Sequence, residues 1–267
     1  MRIWFFVLFV LSADSVLAQT GTVIDVQPEL EDELRFSVRM SGENWSRASS
    51  DVTAVRTGVG LMAEKDGFVG LAELSYLSGQ RSGSEINELG NPLLGLDFRL
   101  LAPSPLSVWL MTSGSFSRPG AKLAYRHDHY RTGVEFRSSR NRWFGQFGGG
   151  YRFRINEEDR KVDVGDAADG HFQLGYRLHP SWVSLLRWEL LSSRGIQREG
   201  LPIARETEWT GLTPSLVYRL GGGASLSAAV TIPLTMTRGA EETEISLWDL
   251  GHSVTQPTWK TQLGVVF

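Results

Sequence analysis

The spacing of the arginines in this sequence suggests a binding function. Many arginines alternate with apolar side chains, as in Arg152-Phe153-Arg154. A guanidinium group keeps its charge and can donate two parallel hydrogen bonds to a carboxylate or a phosphate. Several arginines on one wall would lower the free energy of small anions and exclude cations. The arginines that the pattern selects for anion binding are Arg35, Arg39, Arg56, Arg99, Arg152, Arg154, Arg177 and Arg187.

Basic residues outnumber acidic ones on the face that these arginines share. The same alternation adds the bases Arg131, Arg137, Arg219 and Lys260 and the acids Glu73, Asp97, Glu135 and Glu189. The whole chain nevertheless has a net charge of -3, because many acids lie in the N-terminal segment and in predicted loops. A network of charged side chains that only stabilises the structure should have nearly equal numbers of acids and bases. The excess of basic residues therefore favours a path for anions. Acids flanked by so many arginines are expected to stay ionised as ion-pair partners.

Histidines offer a second kind of chemistry, with weaker support. His127-Asp128-His129 places two imidazoles around a carboxylate, and both are metal-ligand types. The segment falls in a predicted loop and has no identifiable third ligand, so we expect no metal site and no cofactor. A hydrolase built on strands would need a Ser and a His within hydrogen-bond reach. His171, His179 and His252 fall near predicted strand ends or in loops, so we expect no catalytic residues and no enzyme.

β-Strands must position these arginines, because the hydrophobic pattern has a period of two. Twelve alternating segments can be counted, from Leu34–Trp45 at the start to Trp259–Phe267 at the end. In one of them, Phe172 and Leu174 alternate with Gln173. The sequence predicts an all-β fold, a transmembrane antiparallel up-and-down β-barrel of about 12 strands. A one-residue slip of any strand would move its arginines to the lipid face.

The connections between the predicted strands alternate in length. Those after the even-numbered strands are short, about three to five residues, and most of the others are about twelve to eighteen, as in outer-membrane barrels. Aromatic residues at strand ends are expected to form girdles at the two membrane interfaces. These are Trp45, Tyr76 and Trp209 near the long loops and Phe68, Trp143, Trp182, Tyr218 and Phe267 near the short turns.

The N-terminus has the pattern of an export signal. Met1 and Arg2 precede the apolar run Ile3–Leu11, and small residues lead to a cleavage site after Ala18. The run is well under the roughly 20 residues that a spanning helix needs. We therefore expect a signal peptide at 1–18, a periplasmic tail at 19–33 and a barrel at 34–267. With no cysteine, the chain has no disulfide framework.

The last predicted strand ends on Phe267 with apolar residues at two-residue steps before it, namely Trp259, Leu263 and Val265. This pattern resembles the assembly signal of Gram-negative outer-membrane β-barrel proteins. The resemblance implies a location in the cell outer membrane, contact with its lipids and recognition of the C-terminal strand by the barrel-assembly machinery. Twelve-stranded porins of acidic sugars are similar in having basic lumens, but no residue motif in this sequence indicates the same substrate.

These observations predict a passive channel for small anionic solutes with an Arg-lined lumen. The alternative is a closed, non-conducting barrel with a structural or surface-interaction role, with its function in long loops such as 79–91 and 238–256. An outer-membrane enzyme is a third and weaker alternative. Nucleic acid is not expected as a partner, because the basic residues face a lumen and form no exposed stripe with aromatics.

Overall fold

The protein is described here by a computed structural model, which covers most of the predicted barrel. The described residues are 35–47, 52–65, 67–81, 84–102, 105–116, 128–155, 162–198, 201–202, 206–221, 224–236 and 257–266. The predicted signal peptide, the tail at 19–33, the loop at 238–256, His127, His252 and Phe267 lie outside them. Within those ranges no helix is long and apolar enough to cross a membrane.

Long antiparallel strands make up the described chain, because β-branched and aromatic residues alternate there with polar or small ones. The strands of the main sheet are β1 (Arg35–Arg47), β2 (Val52–Lys65), β3 (Phe68–Arg81), β4 (Ser84–Leu89), β5 (Leu93–Leu101), β6 (Leu106–Ser115), β7 (Asp128–Arg140), β8 (Trp143–Ile155), β10 (Ala167–His179), β11 (Trp182–Ser193), β14 (Thr207–Gly221), β15 (Ala224–Met236) and β16 (Thr258–Val266). Short strands β9 (Val162–Val164), β12 (Ile196–Arg198) and β13 (Leu201–Pro202) form a second sheet.

The pairings of the main sheet return to their starting point. β1 pairs with both β2 and β16, and β2 also pairs with β3. Every other strand pairs with the barrel strands before and after it in the chain. β4 and β5 lie one after the other along β3 and together fill one position. Among the described residues, the sheet is therefore a closed ring of twelve strand positions, which confirms the predicted fold class.

One predicted loop differs from the structure. Within the segment 79–91 an additional strand, β4, precedes β5, and the two are separated at Gly90-Asn91-Pro92, where proline cannot donate a backbone hydrogen bond. The Asn91 side-chain amide donates to the Phe116 carbonyl at 2.7 Å and fixes the break. β3 and β4 then continue as a hairpin, so much of the segment 79–91, which the sequence suggested as a loop, is strand.

Large apolar side chains cover the outer surface of the ring. Leu94, Leu96 and Phe98 on β5 and Phe172 and Leu174 on β10 are exposed, while their neighbours Asp97 and Gln173 are buried. An apolar exterior over a polar interior is the reverse of a soluble protein and suits a lipid environment. The alternation assigned residues of β2, β5, β7, β10 and β11 to an inner or an outer face. Each of these residues whose burial is described lies on the predicted face.

The short turns gather at one end of the ring. β2–β3, β5–β6, β7–β8, β10–β11 and β14–β15 are joined by two to four residues. Asn141, in the β7–β8 turn, has φ 59, and Gly67, in the β2–β3 turn, has φ 80. A Cβ on Gly67 would lie 2.9 Å from the Cβ of Arg99. We assign this end to the periplasm, because barrels of this kind have short periplasmic turns and longer extracellular connections.

Candidate functional site: the inner wall of the barrel

The inner wall carries five of the eight arginines that the sequence selected. Arg152, Arg154 and Arg187 are buried there, and Arg99 and Arg177 are half-buried. Arg35 and Arg39 lie in β1 and Arg56 in β2, but their side chains are outside the described part of the structure. The five described side chains thus lie on the inner face of the ring.

Two arginines share one carboxylate at the extracellular half of β7, β8 and β10. Arg131 holds Asp169 with Nε at 3.0 Å and Nη2 at 2.6 Å, and Arg152 Nε donates to the same carboxylate at 3.0 Å. All three side chains are almost fully buried. The sequence reasoning missed Asp169, because it lies near the start of its strand, where the alternation was not followed. Arg152 is therefore held by an acid inside the wall.

A second chain of buried charges lies nearer the periplasm. Arg137 contacts Glu135 through its Nε and Asp97 through Nη2 at 3.2 Å. Glu135 in turn lies 2.7 Å from Nε2 of His171. The guanidinium of Arg137 also stacks over the Trp109 ring at 4.3 Å. These contacts bind β5, β6, β7 and β10 to each other from the inside, and Asp97 and Glu135 serve as ion-pair partners, as expected for these two acids.

We call these groups the paired network, and define it as Asp97, Arg131, Glu135, Arg137, Arg152, Asp169 and His171. Glycines on the strands beneath it give the long side chains room to lie flat. A Cβ on Gly150 would stand 2.9 Å from Cζ of Arg131 and 2.7 Å from the Thr132 carbonyl. Arg131 thus accounts for Gly150, and Gly148 likewise lies beside Glu135 of the network, 3.2 Å from a Cβ placed there to the Glu135 Cβ.

Two other inner-wall arginines, Arg154 and Arg187, make contacts outside the paired network. Arg187 Nε lies 3.0 Å from Glu189 on the same strand. Arg154 donates to the Gly165 carbonyl at 2.6 Å and approaches Ser193 at 3.5 Å. Both side chains are buried. The buried arginines therefore strengthen the wall more than they present charge to the lumen.

Three arginines form a different set at the periplasmic end. Arg99, Arg177 and Arg219 each lie two residues from the periplasmic end of β5, β10 or β14, and each is half-buried. We call them the periplasmic arginines. Each side chain keeps part of its surface exposed to solvent, while the arginines of the paired network are buried.

The inner wall is not polar throughout. Val183, Leu185, Val217 and Ala229 form a buried apolar cluster in the periplasmic half of β11, β14 and β15, and Phe144 packs against it. The Phe144 ring occupies the space above Gly175, where a Cβ would collide with it. The run Val183-Ser184-Leu185-Leu186 could have indicated this, because Val183 and Leu185 are apolar at the inward positions. The inner wall is therefore less charged on this side than a uniformly Arg-lined pore would be.

Several expectations about individual residues were wrong. His129 is the second residue of β7 and not part of a loop, and His171 lies within β10, away from its ends; both are buried inside the ring. Trp209 also faces inward and is 1% exposed, so it cannot belong to an interfacial girdle. In each case the strand continues further toward the extracellular side than the hydrophobic pattern indicated. His179, in contrast, ends β10 and is exposed as expected.

The remaining aromatic girdle and the C-terminal strand follow the prediction where they are described. Phe68, Tyr76, Trp143 and Trp182 are exposed on the outer surface. In β16, Trp259 and Leu263 are exposed and Val265 is half-buried on the same face. Among the described residues, no three His, Asp or Glu side chains come together as metal ligands.

Comparison with known proteins supports the fold but not a family. No protein-family model matches the chain. No curated protein matches it either. A crystal structure of an outer membrane channel from Pseudomonas putida F1 has a TM-score of 0.69 at 10% identity, covering 91% of this chain and 100% of the channel. The NanC porin has a TM-score of 0.55 at 10% identity, with 86% and 98% covered. The KdgM porin, solved with a disordered oligogalacturonate, has a TM-score of 0.50 at 11% identity, with 87% and 99% covered.

The class of the protein follows from the closed ring, its apolar exterior and these similarities. The chain is an outer-membrane β-barrel with the twelve-position architecture described above, and it resides in the outer membrane. At about one identical residue in ten, the similarity extends to the fold alone.

Proposed function

We propose that this barrel is a narrow passive channel for small anionic solutes, and that the periplasmic arginines set its preference for anions. The observation that carries the proposal is the difference in exposure between two sets of inner-wall arginines. Those of the paired network are buried against carboxylates, whereas Arg99, Arg177 and Arg219 are half-buried on the inner face near the periplasmic end. Only a charge that a solute can approach contributes to selectivity.

Among the side chains that the structure describes, the inner wall has more base than acid. Its described arginines are Arg99, Arg131, Arg137, Arg152, Arg154, Arg177, Arg187 and Arg219, and its acids are Glu73, Glu88, Asp97, Glu135, Asp169 and Glu189. The paired network contributes three arginines and three carboxylates, so the surplus lies elsewhere. A low-dielectric wall around a positive surplus concentrates anions inside the barrel.

The similar structures are consistent with this function. The Pseudomonas putida protein is an outer membrane channel, and NanC and KdgM are porins. KdgM was solved with an oligogalacturonate, which is a polymer of negatively charged sugars. We extend the channel activity, but not that particular substrate, to the present chain as part of the proposal.

A second function deserves a test because the inner wall is tightly packed. Arg187 and Glu135 are at most 1% exposed, and Phe144 fills space beside the apolar cluster. A closed barrel would use the same network only for stability. Its function would then lie in the extracellular hairpins, of which β3–β4 is the best described.

Swelling of liposomes that contain the refolded protein separates the two functions. Glucuronate, glucose and glucosamine are close in size and differ in charge, so their entry rates report selectivity. The channel predicts the fastest swelling in glucuronate and a smaller difference for Arg177→Gln, while the exposed control Arg194→Gln should match the original protein. Fastest swelling in glucosamine would refute the anion preference. No swelling with folded protein would favour the closed barrel.

We also propose that the C-terminal strand is the contact for the barrel-assembly machinery. β16 offers Trp259, Leu263 and Val265 on one outer face and is paired with both β1 and β15 in the finished ring. Before the ring closes, this strand has an edge that another protein can pair with.

A further inference from the structure

The outer surface has a concentration of positive charge at the β7–β8 turn. Arg140 ends β7 and Arg142 directly precedes β8, with Asn141 between them in the left-handed conformation. Both arginine side chains are exposed, and neither has an acidic partner within the described part of the chain. The Arg142 carbonyl accepts a hydrogen bond from the Arg177 amide at 2.9 Å, which holds the turn against β10. Two unpaired cations are thus fixed at the periplasmic edge.

Aromatic rings lie beside these cations. Trp143 is paired in register with Arg140 on one side and with Tyr176 on the other. Its ring centroid is 4.5 Å from that of Tyr176, and the side chain is 52% exposed. Tryptophan and tyrosine favour the depth at which lipid glycerol and headgroups meet the acyl chains. The arginines therefore lie at the level of the lipid phosphates.

The wall above Trp143 has a shallow depression. Ser138 and Gly145 are paired outward-facing positions with little or no side chain. Above them, Phe136 and Phe147 are stacked with their centroids 4.7 Å apart. An acyl chain could lie in the depression, between the Trp143–Tyr176 pair and the stacked phenylalanines.

The other described residues of the periplasmic turns do not repeat this arrangement. Ala102 and Pro105 in the β5–β6 turn carry no charge, and the β2–β3 turn contributes Lys65. His179 in the adjacent β10–β11 turn is the nearest further group that can become cationic. Among the described outward-facing residues of the periplasmic edge, positive charge is thus concentrated at the β7–β8 turn.

We propose that this surface binds an anionic glycerophospholipid of the periplasmic leaflet. The lipid phosphate lies between Arg140 and Arg142, the glycerol contacts Trp143 and Tyr176, and an acyl chain covers Ser138 and Gly145. Charge complementarity supports this occupant, since guanidinium groups bind phosphate in a bidentate manner and basic surface groups attract anionic headgroups. The proposal depends on the orientation of the barrel and not on conduction.

Native mass spectrometry of the full mature protein in detergent tests the site. Phosphatidylglycerol and phosphatidylcholine with the same acyl chains are added in turn, and the retained lipid is counted. The variant Arg140→Gln with Arg142→Gln is compared with Lys65→Gln plus Arg194→Gln, which removes two exposed charges elsewhere. We expect one phosphatidylglycerol to be retained by the original protein and by the control, with about tenfold weaker retention in the Arg140/Arg142 variant.

Three results would overturn the proposal. Equal retention of the two lipids would show that headgroup charge is not recognised. An equal loss in both variants would show a general effect of net charge. Displacement of the bound lipid by millimolar inorganic phosphate would show that the turn recognises phosphate alone, without the proposed glycerol and acyl-chain contacts. Folding of each variant is checked separately on gels, where a folded barrel migrates differently in unheated and heated samples.

Discussion

The Nε2 atom of His171 lies 2.7 Å from Oε2 of Glu135, although the two residues belong to strands that are not neighbours. Gly148 of β8 lies between them in register, paired with Glu135 on one side and His171 on the other. Because glycine has no side chain, the histidine reaches across β8 and ties β10 to β7. The sequence pattern concealed this contact, since His171 lies beyond the apolar stretch that marked its strand.

Replacement of Glu135 with Gln should destabilise the barrel. The change leaves Arg137 and His171 without their shared negative partner inside a dry wall, where removal of one member of a buried pair costs about 3 kcal/mol. Urea unfolding in lipid vesicles, followed by tryptophan fluorescence, measures the loss. Glu85→Gln on the exposed face of β4 is the control. Equal unfolding midpoints for the two variants would show that the paired network contributes little.

Gly150 should not tolerate alanine, whereas Gly170 should. A Cβ on Gly150 would meet the Thr132 carbonyl at 2.7 Å and displace Arg131 from Asp169. The nearest atom to a Cβ on Gly170 would be 3.8 Å away. Overpacking of this kind costs about 1–3 kcal/mol. The same unfolding assay applies, and a Gly170→Ala variant that loses as much stability as Gly150→Ala would contradict the described packing.

The depth of a lipid-facing position in the membrane should determine how much stability is lost when an arginine is introduced there. Leu186 lies mid-strand in β11 and Leu178 lies next to the periplasmic end of β10, and both are exposed to lipid. Arginine on a lipid-facing position costs about 2–4 kcal/mol near the midplane and about 0–1 near an interface. Leu186→Arg should therefore unfold at lower urea than Leu178→Arg. The reverse order would mean that the periplasmic edge is assigned to the wrong depth.

Removal of Phe267 should impair assembly in cells and leave refolding in vitro unaffected. The residue is the last of the predicted assembly signal, and the finished strand β16 is already paired on both sides. Comparison of unheated and heated samples on gels measures the folded fraction in isolated outer membranes and in refolded protein. An equal loss in both preparations would indicate a folding role and not recognition by the assembly machinery.

The closed ring could be predicted from the sequence because period-two alternation reports directly which face meets lipid. Phe172, Gln173 and Leu174 have the predicted orientations, and so do Arg131, Glu135 and Arg137. The even spacing of short turns also followed from local signals such as the Asn141 turn. These features depend on near neighbours in the chain, which a single sequence contains.

The arrangement of the inner wall could not be predicted in the same way. Asp169 and Arg131 are thirty-eight residues apart, and their contact depends on the register of three strands and on the glycines between them. His129 and Trp209 were misplaced because strands continue beyond the membrane, where the apolar alternation no longer marks them. Which arginines reach the lumen is a property of the assembled ring.

Single-channel current in a planar bilayer under a salt gradient tests the central claim most directly. Refolded mature protein is compared with Arg177→Gln plus Arg219→Gln and with the control Lys65→Gln plus Arg194→Gln. The account predicts discrete steps with a reversal potential that favours anions, a marked shift toward zero in the Arg177/Arg219 variant and little change in the control. A cation-favouring potential, or an anion preference unchanged by loss of the two periplasmic arginines, would contradict it.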